Sequence, residues 1–384
     1  MIYDNRLLLN EIKLFPIFIV LFLNKMMKAR PIAILMLCFF FNFSCSTNDG
    51  STSEEPEHEA IYFPPINSDT WETTSISELN WNTNELQPLL DFLEEKHTKS
   101  FMMLYNGKIV EEQYFNGHTS STLWYWASAG KTLTSTVAGI AQDEGLININ
   151  NKVSDYLGTG WTNTSLEKEN LITCKHLLSM TSGLDDSLGD DVSPNNLQYI
   201  ADAGTRWAYH NVYVKLQNVV SEASNQTWNT YFNTKLKAPI GMNGGWLTIN
   251  GLQVYGSHTR SMARFGLLAY AHGKWEDQQI VSENYFRQAT TTSQSINDAY
   301  GYLWWLNGKS SYHLPQTQVE FPGQLIPDAP NDMYAALGKN DQKIYVVPSK
   351  KLVVVRMGQS ADDDNFALSN FDNALWLKIN ALIN

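Results

Sequence analysis

The sequence predicts an α/β sandwich of the α+β kind: a largely antiparallel sheet flanked by terminal helices and joined to an inserted, mostly helical lobe. Two hairpin patterns and the stretch between them predict it. Phe101 to Tyr105 and Ile109 to Tyr114 flank Asn106-Gly107, the dipeptide that best favours a type I′ turn. Near the other end, Lys343 to Val347 and Leu352 to Arg356 flank the turn-like Pro348-Ser349-Lys350. Strands at both ends, with mainly helical patterning and Asp, Asn, Ser and Gly loops between them, imply one shared sheet carrying an insertion.

The chain has 384 residues, 43% hydrophobic and 17% charged, which is ordinary globular composition and enough for one large core or two modest ones. A formal charge of -12 without a Lys/Arg run excludes a nucleic-acid-binding face. Two early apolar stretches, Leu14 to Leu23 and Ile32 to Phe43, are each shorter than the roughly 20 residues of a membrane-spanning helix. The second has the build of a signal peptide, with Lys28 and Arg30 before it and Ser44-Cys45 after it. This is a lipobox in outline, with Asn42 where Leu is usual. Residues 1–45 are therefore expected to be a leader starting at Met26 or Met27, with Cys45 lipidated and the protein exported and anchored to a membrane. Cys174 is then the one cysteine of the mature domain, so no intramolecular disulfide is expected there.

Residues 46–75 begin polar, acidic and proline-bearing and are read as a flexible tether. The folded domain is expected over 76–384, with a sheet lobe at 76–160 and 295–384 and a helical lobe at 161–294. Leu86, Leu89, Leu90 and Leu93 predict an amphipathic helix near 83–96. Leu133, Val137, Ile140 and Ala141 predict a buried helix that starts just after Ser128 and stops at Gly145. Phe366, Leu368, Phe371, Leu375 and Leu382 predict a closing helix.

Ser128 and Lys131 stand one helical turn apart, so an amine can reach a hydroxyl on the same side. A serine hydroxyl is a weak nucleophile until a neighbouring base takes its proton, and a lysine serves only where its pKa is pushed down. Ser165 and Lys168 share the S-x-x-K spacing but lie in a polar segment that leads into no core helix. A Y-x-N triplet occurs at Tyr209-His210-Asn211, and also at Tyr3, Tyr114 and Tyr231. Tyr209 is favoured because a Gly204-Thr205 turn precedes it and an apolar helical pattern from Val212 follows it. There a phenol can relay a proton to a leaving group, and Asn211 can hold Lys131 or a substrate carbonyl. No H-E-x-x-H, paired C-x-x-C, P-loop or G-x-S-x-G pattern occurs, and no metal or organic cofactor is expected.

These segments occur in the order of the β-lactamase and penicillin-binding-protein superfamily, and the chain resembles its class C β-lactamase-related branch of esterases and aminohexanoate-oligomer hydrolases. CKHLLSMTSGLDD (174–186), DAGTRWAYHN (202–211), SMARFGLLAYAHGKW (261–275) and YGYLWWL (300–306) resemble family segments, so the likeness runs from about residue 80 to the end. Ala203 stands where the family usually has Pro.

The resemblance implies a β-lactamase/transpeptidase-like sandwich with the active site between sheet and helical lobe. It also implies a serine hydrolase acting on a small ester or amide, with Ser128 as nucleophile, Lys131 as base and Tyr209 as proton relay. The family's K-T-G is replaced by Ala336-Leu337-Gly338, which makes antibiotic hydrolysis doubtful, while Gly338 still lets the strand approach the reacting carbonyl. By the same resemblance the backbone amides of Ser128 and Lys339 form the oxyanion hole. Trp304 and Trp305 are candidates for the pocket wall, although a Trp pair on a strand is more often core, and His258 is similarly ambiguous. The rival readings are a D-amino-acid peptidase or carboxypeptidase on cell-wall peptides and a catalytically silent ligand-binding lipoprotein.

Overall fold

The computed structural model describes residues 60–249, 252–362 and 367–384. The expected leader, Cys45 and residues 46–59 of the expected tether lie outside the described residues. Among the described residues no helix is long and apolar enough to cross a membrane. Helix α1, Leu86–Glu95, buries Leu89 and Leu93 and leads into the hairpin β1, Thr98–Tyr105, and β2, Lys108–Tyr114. Its turn has Asn106 and Gly107 at φ of 47° and 91°, the positive-φ pair that the Asn-Gly signal predicts.

Strand β3, Trp124–Tyr125, precedes the 3-10 turn Ala127–Gly130 and helix α2, Lys131–Asp143. Residues 131 to 141 of α2 are all buried, so it runs through the core and is not a surface amphipathic helix. Helix α3, Lys215–Ser224, buries Leu216, Val219 and Val220 and packs beside it, with Gln217 Nε2 donating to Thr134 Oγ1 at 3.1 Å. The hairpin β4, Gly245–Ile249, and β5, Leu252–Ser257, leads into helix α4, Thr259–Tyr270, which lies on the sheet, and α5 follows at Glu283–Ala289.

Strands β6, Trp305–Leu306, β7, Tyr334–Gly338, β8, Gln342–Val347, and β9, Leu352–Gly358, complete the sheet before the closing helix α6, Asn370–Ile383. The six-stranded order is β2-β1-β9-β8-β7-β6, antiparallel throughout, so the first hairpin joins the last one through β1 and β9. Ser369 and Asp372 make the capping box that starts α6. Phe92 of α1 stacks on Phe371 of α6 with ring centroids 5.7 Å apart. The α+β sandwich with a largely antiparallel sheet is thus present.

Two expectations change. Residues 60–75 are not a free tether: Trp71 is buried and its Nε1 donates to Gly107 O at 2.7 Å, and Tyr62 N donates to Asn106 O at 3.0 Å. Thr73 bridges to Ile109 in parallel sense, so this strap follows the turn and edge of the first hairpin. Its apolar residues Ile61, Tyr62, Phe63 and Trp71 offset the ordering entropy that the polar stretch before them cannot. The expected helical lobe also holds β4 and β5, which form a three-stranded sheet with β3. The sequence between them is Asn250-Gly251, the same turn signal as at 106–107.

Candidate active site

The backbone around Ser128 is set by its neighbours. Trp126 is fully buried; its N–H donates to Tyr255 O at 2.8 Å, and its Nε1 donates to Ser257 Oγ at 2.8 Å. Ala127 then takes φ of 48°, a left-handed conformation that disfavours a residue with a Cβ and that persists only where the surroundings enforce it. The chain turns there and delivers Ser128 just ahead of α2. From the opposite side β7 comes within contact: a Cβ on Gly338 would lie 2.4 Å from Trp126 O and 2.9 Å from Ala129 N. Only glycine allows that approach.

Lys131 is buried, and its Nζ donates to Ser128 Oγ at 2.8 Å. Burial pulls its pKa down from 10.5 to about 7, against a smaller opposing effect of the Asp190 carboxylate. Instead of a bound carboxylate, two aromatic faces meet the amine, with the ring centroids of Tyr209 and Tyr213 at 4.9 and 4.7 Å. Burial raises the Tyr209 phenol to about 12, while a hydrogen bond with Ser128 pulls the other way. Tyr209 is held from behind by Trp305, stacked at 5.7 Å, and by the edge of Tyr300 at 6.1 Å. Alcohol, amine and phenol from two separate stretches of chain therefore meet at one point.

They line a cavity of about 850 Å³. One wall carries Asp186, Asp190, His210 and Asn211; another carries Tyr213, Val214, Ile249, Leu252 and Val254; Lys339 and Asn340 close a third side. Asp186 is paired with Arg206 at 2.7 Å.

The competing motifs resolve locally. Ser165 Oγ caps a short helix by accepting from Lys168 N at 3.4 Å, and Lys168 pairs with Asp202 at 2.6 Å. Tyr114 and Tyr231 donate their hydroxyls to Glu112 at 2.5 Å and Glu144 at 2.8 Å. Tyr3 lies outside the described residues.

Asn211 lines the cavity but does not hold Lys131: its Nδ2 donates to Asp190 Oδ1 at 2.7 Å, because the loop carrying Asp190 folds over it. Trp304 is not a pocket residue; it is fully buried, stacked on Phe265 at 5.9 Å and met edge-on by Tyr334 at 5.5 Å. His258 bonds Asn243 at 2.6 Å through Nδ1 and is absent from the cavity lining. Gly338 makes close backbone contact with Trp126 and Ala129, and Lys339 lines the same cavity as Ser128.

Sequence reasoning missed Tyr213, Asp190, Asn340 and the hairpin residues Ile249 and Leu252. Tyr213 was accessible, since it follows Tyr209 by four residues into the helix. Asp190 lies in a loop with no spacing signal. Among the described residues no group of three or more His, Cys, Asp or Glu side chains is placed to hold a metal ion.

Comparison with known proteins identifies the fold and the family. No curated protein matches the sequence. A Bacillus anthracis protein assigned as a 6-aminohexanoate-dimer hydrolase superposes with a TM-score of 0.62 at 18% identity, over 83% of this chain and 88% of that one. A β-lactamase from Mycobacterium bovis superposes with a TM-score of 0.56 at 19% identity, over 76% and 98%. The octameric penicillin-binding protein homologue from Pyrococcus abyssi does so with a TM-score of 0.55 at 16% identity, over 80% and 78%. These likenesses show the β-lactamase/transpeptidase-like fold. The model of the Beta-lactamase family matches residues 93–375, which include every strand of the six-stranded sheet and every residue lining the cavity, and the chain belongs to that family.

Proposed function

We propose that the protein is a serine hydrolase that cleaves a small ester or amide through an acyl-enzyme on Ser128. The observation that carries this reading is the 2.8 Å contact between Ser128 Oγ and a buried lysine amine whose pKa is pushed down to about 7. In its neutral form that amine accepts the serine proton while Oγ bonds to the substrate carbonyl carbon. The tetrahedral oxyanion is met by the backbone amides of Ser128 and Lys339, a role supported by the close passage of β7, at Gly338, against Trp126 and Ala129 on either side of the Ser128 turn.

As the carbon to leaving-group bond breaks, Tyr209 passes a proton to the departing oxygen or nitrogen and recovers it from Lys131. Water then attacks the acyl carbon, the same amine takes up its proton, and Ser128 is released with its hydroxyl restored. Ala336 and Leu337 are buried in β7 and bring no charge or hydroxyl to the cavity, which argues against β-lactam turnover and against a D-amino-acid peptidase. The intact Ser128, Lys131 and Tyr209 set argues against a silent binding protein.

A fluorophosphonate probe should label the protein once, at Ser128. The Ser128→Ala variant should keep its circular dichroism and thermal melt, yet lose labelling and hydrolysis of p-nitrophenyl esters. Labelling at Ser165, or hydrolysis undiminished in Ser128→Ala, would refute the assignment.

We further propose that the protein is exported and anchored by lipid on Cys45, on the strength of the basic, apolar and Ser44-Cys45 pattern of the leader. Mass spectrometry of protein purified from membranes should find a lipid-modified Cys45 as the new N terminus. An intact leader, or release of the wild type into the soluble fraction like Cys45→Ser, would count against it.

A further inference from the structure

Beside the strand that faces Ser128 lies a cluster of buried charges that the proposed reaction never touches. Lys343 on β8 is fully buried, and its Nζ donates to Asp372 Oδ2 at 2.7 Å, to Ala367 O at 2.7 Å and to Asp341 Oδ1 at 3.1 Å. Asp372, in the first turn of α6, also accepts from Tyr345 Oη at 2.5 Å and Ser369 N at 2.9 Å. Asp341 accepts from Ala361 N and Ser369 Oγ, both at 2.9 Å.

Arg356 of β9, opposite Lys343 in register, donates through Nη1 to Asn340 O at 3.2 Å and Asp341 O at 2.9 Å. Gln342 Nε2 donates to Asn340 O at 2.7 Å. Six of these ten bonds end on the turn Lys339-Asn340-Asp341 between β7 and β8, and the other four hold Lys343 and Asp372 behind it. On the cavity side the same turn is tied across to β3, where Asn340 Nδ2 donates to Tyr125 Oη at 2.7 Å.

Stability alone does not account for such a cluster. Desolvation cancels most of the attraction between buried charges, and apolar side chains of similar volume commonly do as well. What the cluster supplies is position. Asn340 and Asp341 are consecutive non-glycine residues at φ of 60° and 58°, the left-handed pair of a tight hairpin turn, which Asn and Asp tolerate better than other residues with a Cβ. Arg356 and Gln342 fix both carbonyls of that segment, and Lys343, Ala361 and Ser369 fix the Asp341 carboxylate, so the residues that directly follow Lys339 are held from behind.

We propose that the Asp341, Lys343 and Asp372 cluster, together with Arg356, positions the 339–341 turn so that the Lys339 amide meets the oxyanion formed at Ser128. This rests on the reading of Ser128 as nucleophile with Lys339 N–H in its oxyanion hole. Asp341 and Lys343 are positioning residues, since neither lines the cavity. Misplacement of a reacting or stabilising group by about 1 Å is enough to cost roughly 100-fold in rate.

The test uses the full chain with two substitutions of different severity, Asp341→Asn and Ser369→Ala. The second removes the 2.9 Å bond to Asp341 and the hydroxyl's cap on the Asp372 N–H at the start of α6, and leaves every charge in place. The readouts are kcat and KM for p-nitrophenyl butyrate per fluorophosphonate-titrated site, the second-order rate of fluorophosphonate labelling, and the pH-rate profile. Asp341→Asn should lower kcat and the labelling rate about 10- to 100-fold with KM within twofold, and Ser369→Ala should lower both several-fold. The acid limb of the pH-rate profile, which belongs to Lys131, should stay where it is in wild type.

A melting temperature that falls while kcat per titrated site and labelling rate remain wild-type would overturn the proposal and leave the cluster a purely structural one. If Asp341→Asn does not fold, the same comparison in Ser369→Ala decides. Failure of the underlying reading is separate and visible: wild type would not label at Ser128, or Ser128→Ala would hydrolyse as wild type does.

Discussion

At the scale of the residue, Lys131 holds the balance between stability and chemistry. In the unfolded chain the amine keeps its proton up to about its ordinary value of 10.5, whereas the folded chain releases it above about 7. Unfolding therefore takes up a proton between those values, and stability rises with pH across that window; the penalty is full below about 7 and gone above 10.5. Lys131→Met removes the penalty, and urea titrations near pH 7 should show a gain on the order of 4 kcal/mol that shrinks towards pH 10. The same variant should lose hydrolysis, while wild-type kcat/KM should rise through a midpoint near 7 as the amine becomes neutral. A variant no more stable than wild type at pH 7 would mean that the amine is solvated in the folded chain. Ser128 and Lys131 were legible in the sequence because their contact is made within one helical turn. Asn211 was not, because its partner Asp190 is 21 residues away in a loop. The Trp pair divides for a different reason: adjacent residues at a strand face opposite ways, so Trp305 backs Tyr209 while Trp304 enters the core beside Phe265.

At the scale of the element, legibility followed turn chemistry and period. The first and last hairpins, α2 and α6 stand within a few residues of where alternation, Asn-Gly and helical spacing put them. The hairpin of β4 and β5 was missed although the sequence Asn250-Gly251 between its strands is as clear a turn signal as Asn106-Gly107, because those strands, GWLTI and LQVYGS, sit within a region of helical pattern. Its outer strand is mostly exposed, with Leu247 and Ile249 at 54% and 40%, so it lacks the buried, near-continuous apolar run that marks the central strands. The same exposure places Ile249 and Leu252 on the cavity rim. Start and stop signals were more informative than propensity: Gly145 stops α2 at φ of 71°, and the Ser369 capping box starts α6. The short helix at 174–178 is likewise fixed by a box, in which Thr173 and His176 satisfy each other's backbone amides.

At the scale of the whole molecule, the antiparallel sheet is closed by segments from both ends of the described chain, and the strap at 60–75 extends that closure to the far edge. Arg264 of α4 is the clamp. Only 5% exposed, it donates to Ile240 O at 3.1 Å and to three carbonyls of the strap, those of Pro64, Pro65 and Ser68, at 3.3, 2.7 and 3.4 Å. Its guanidinium also lies over Trp71 at 5.3 Å and Trp275 at 5.6 Å. Arg264→Met keeps most of the apolar stem but leaves several backbone acceptors without a donor, at about 1–3 kcal/mol for each one that water cannot reach. Thermal unfolding should therefore shift down by about 5–10 °C, and protease should cut within 60–75 before the body. Arg264 touches none of Ser128, Lys131 or Tyr209, so fluorophosphonate labelling of the folded variant should proceed at the wild-type rate. A melt unchanged from wild type would show the strap to be held by Trp71 and the edge of the first hairpin alone. A labelling rate that falls with the melt would show instead that the strap, α4 and the β3–β5 sheet behind Trp126 move as one unit with the nucleophile.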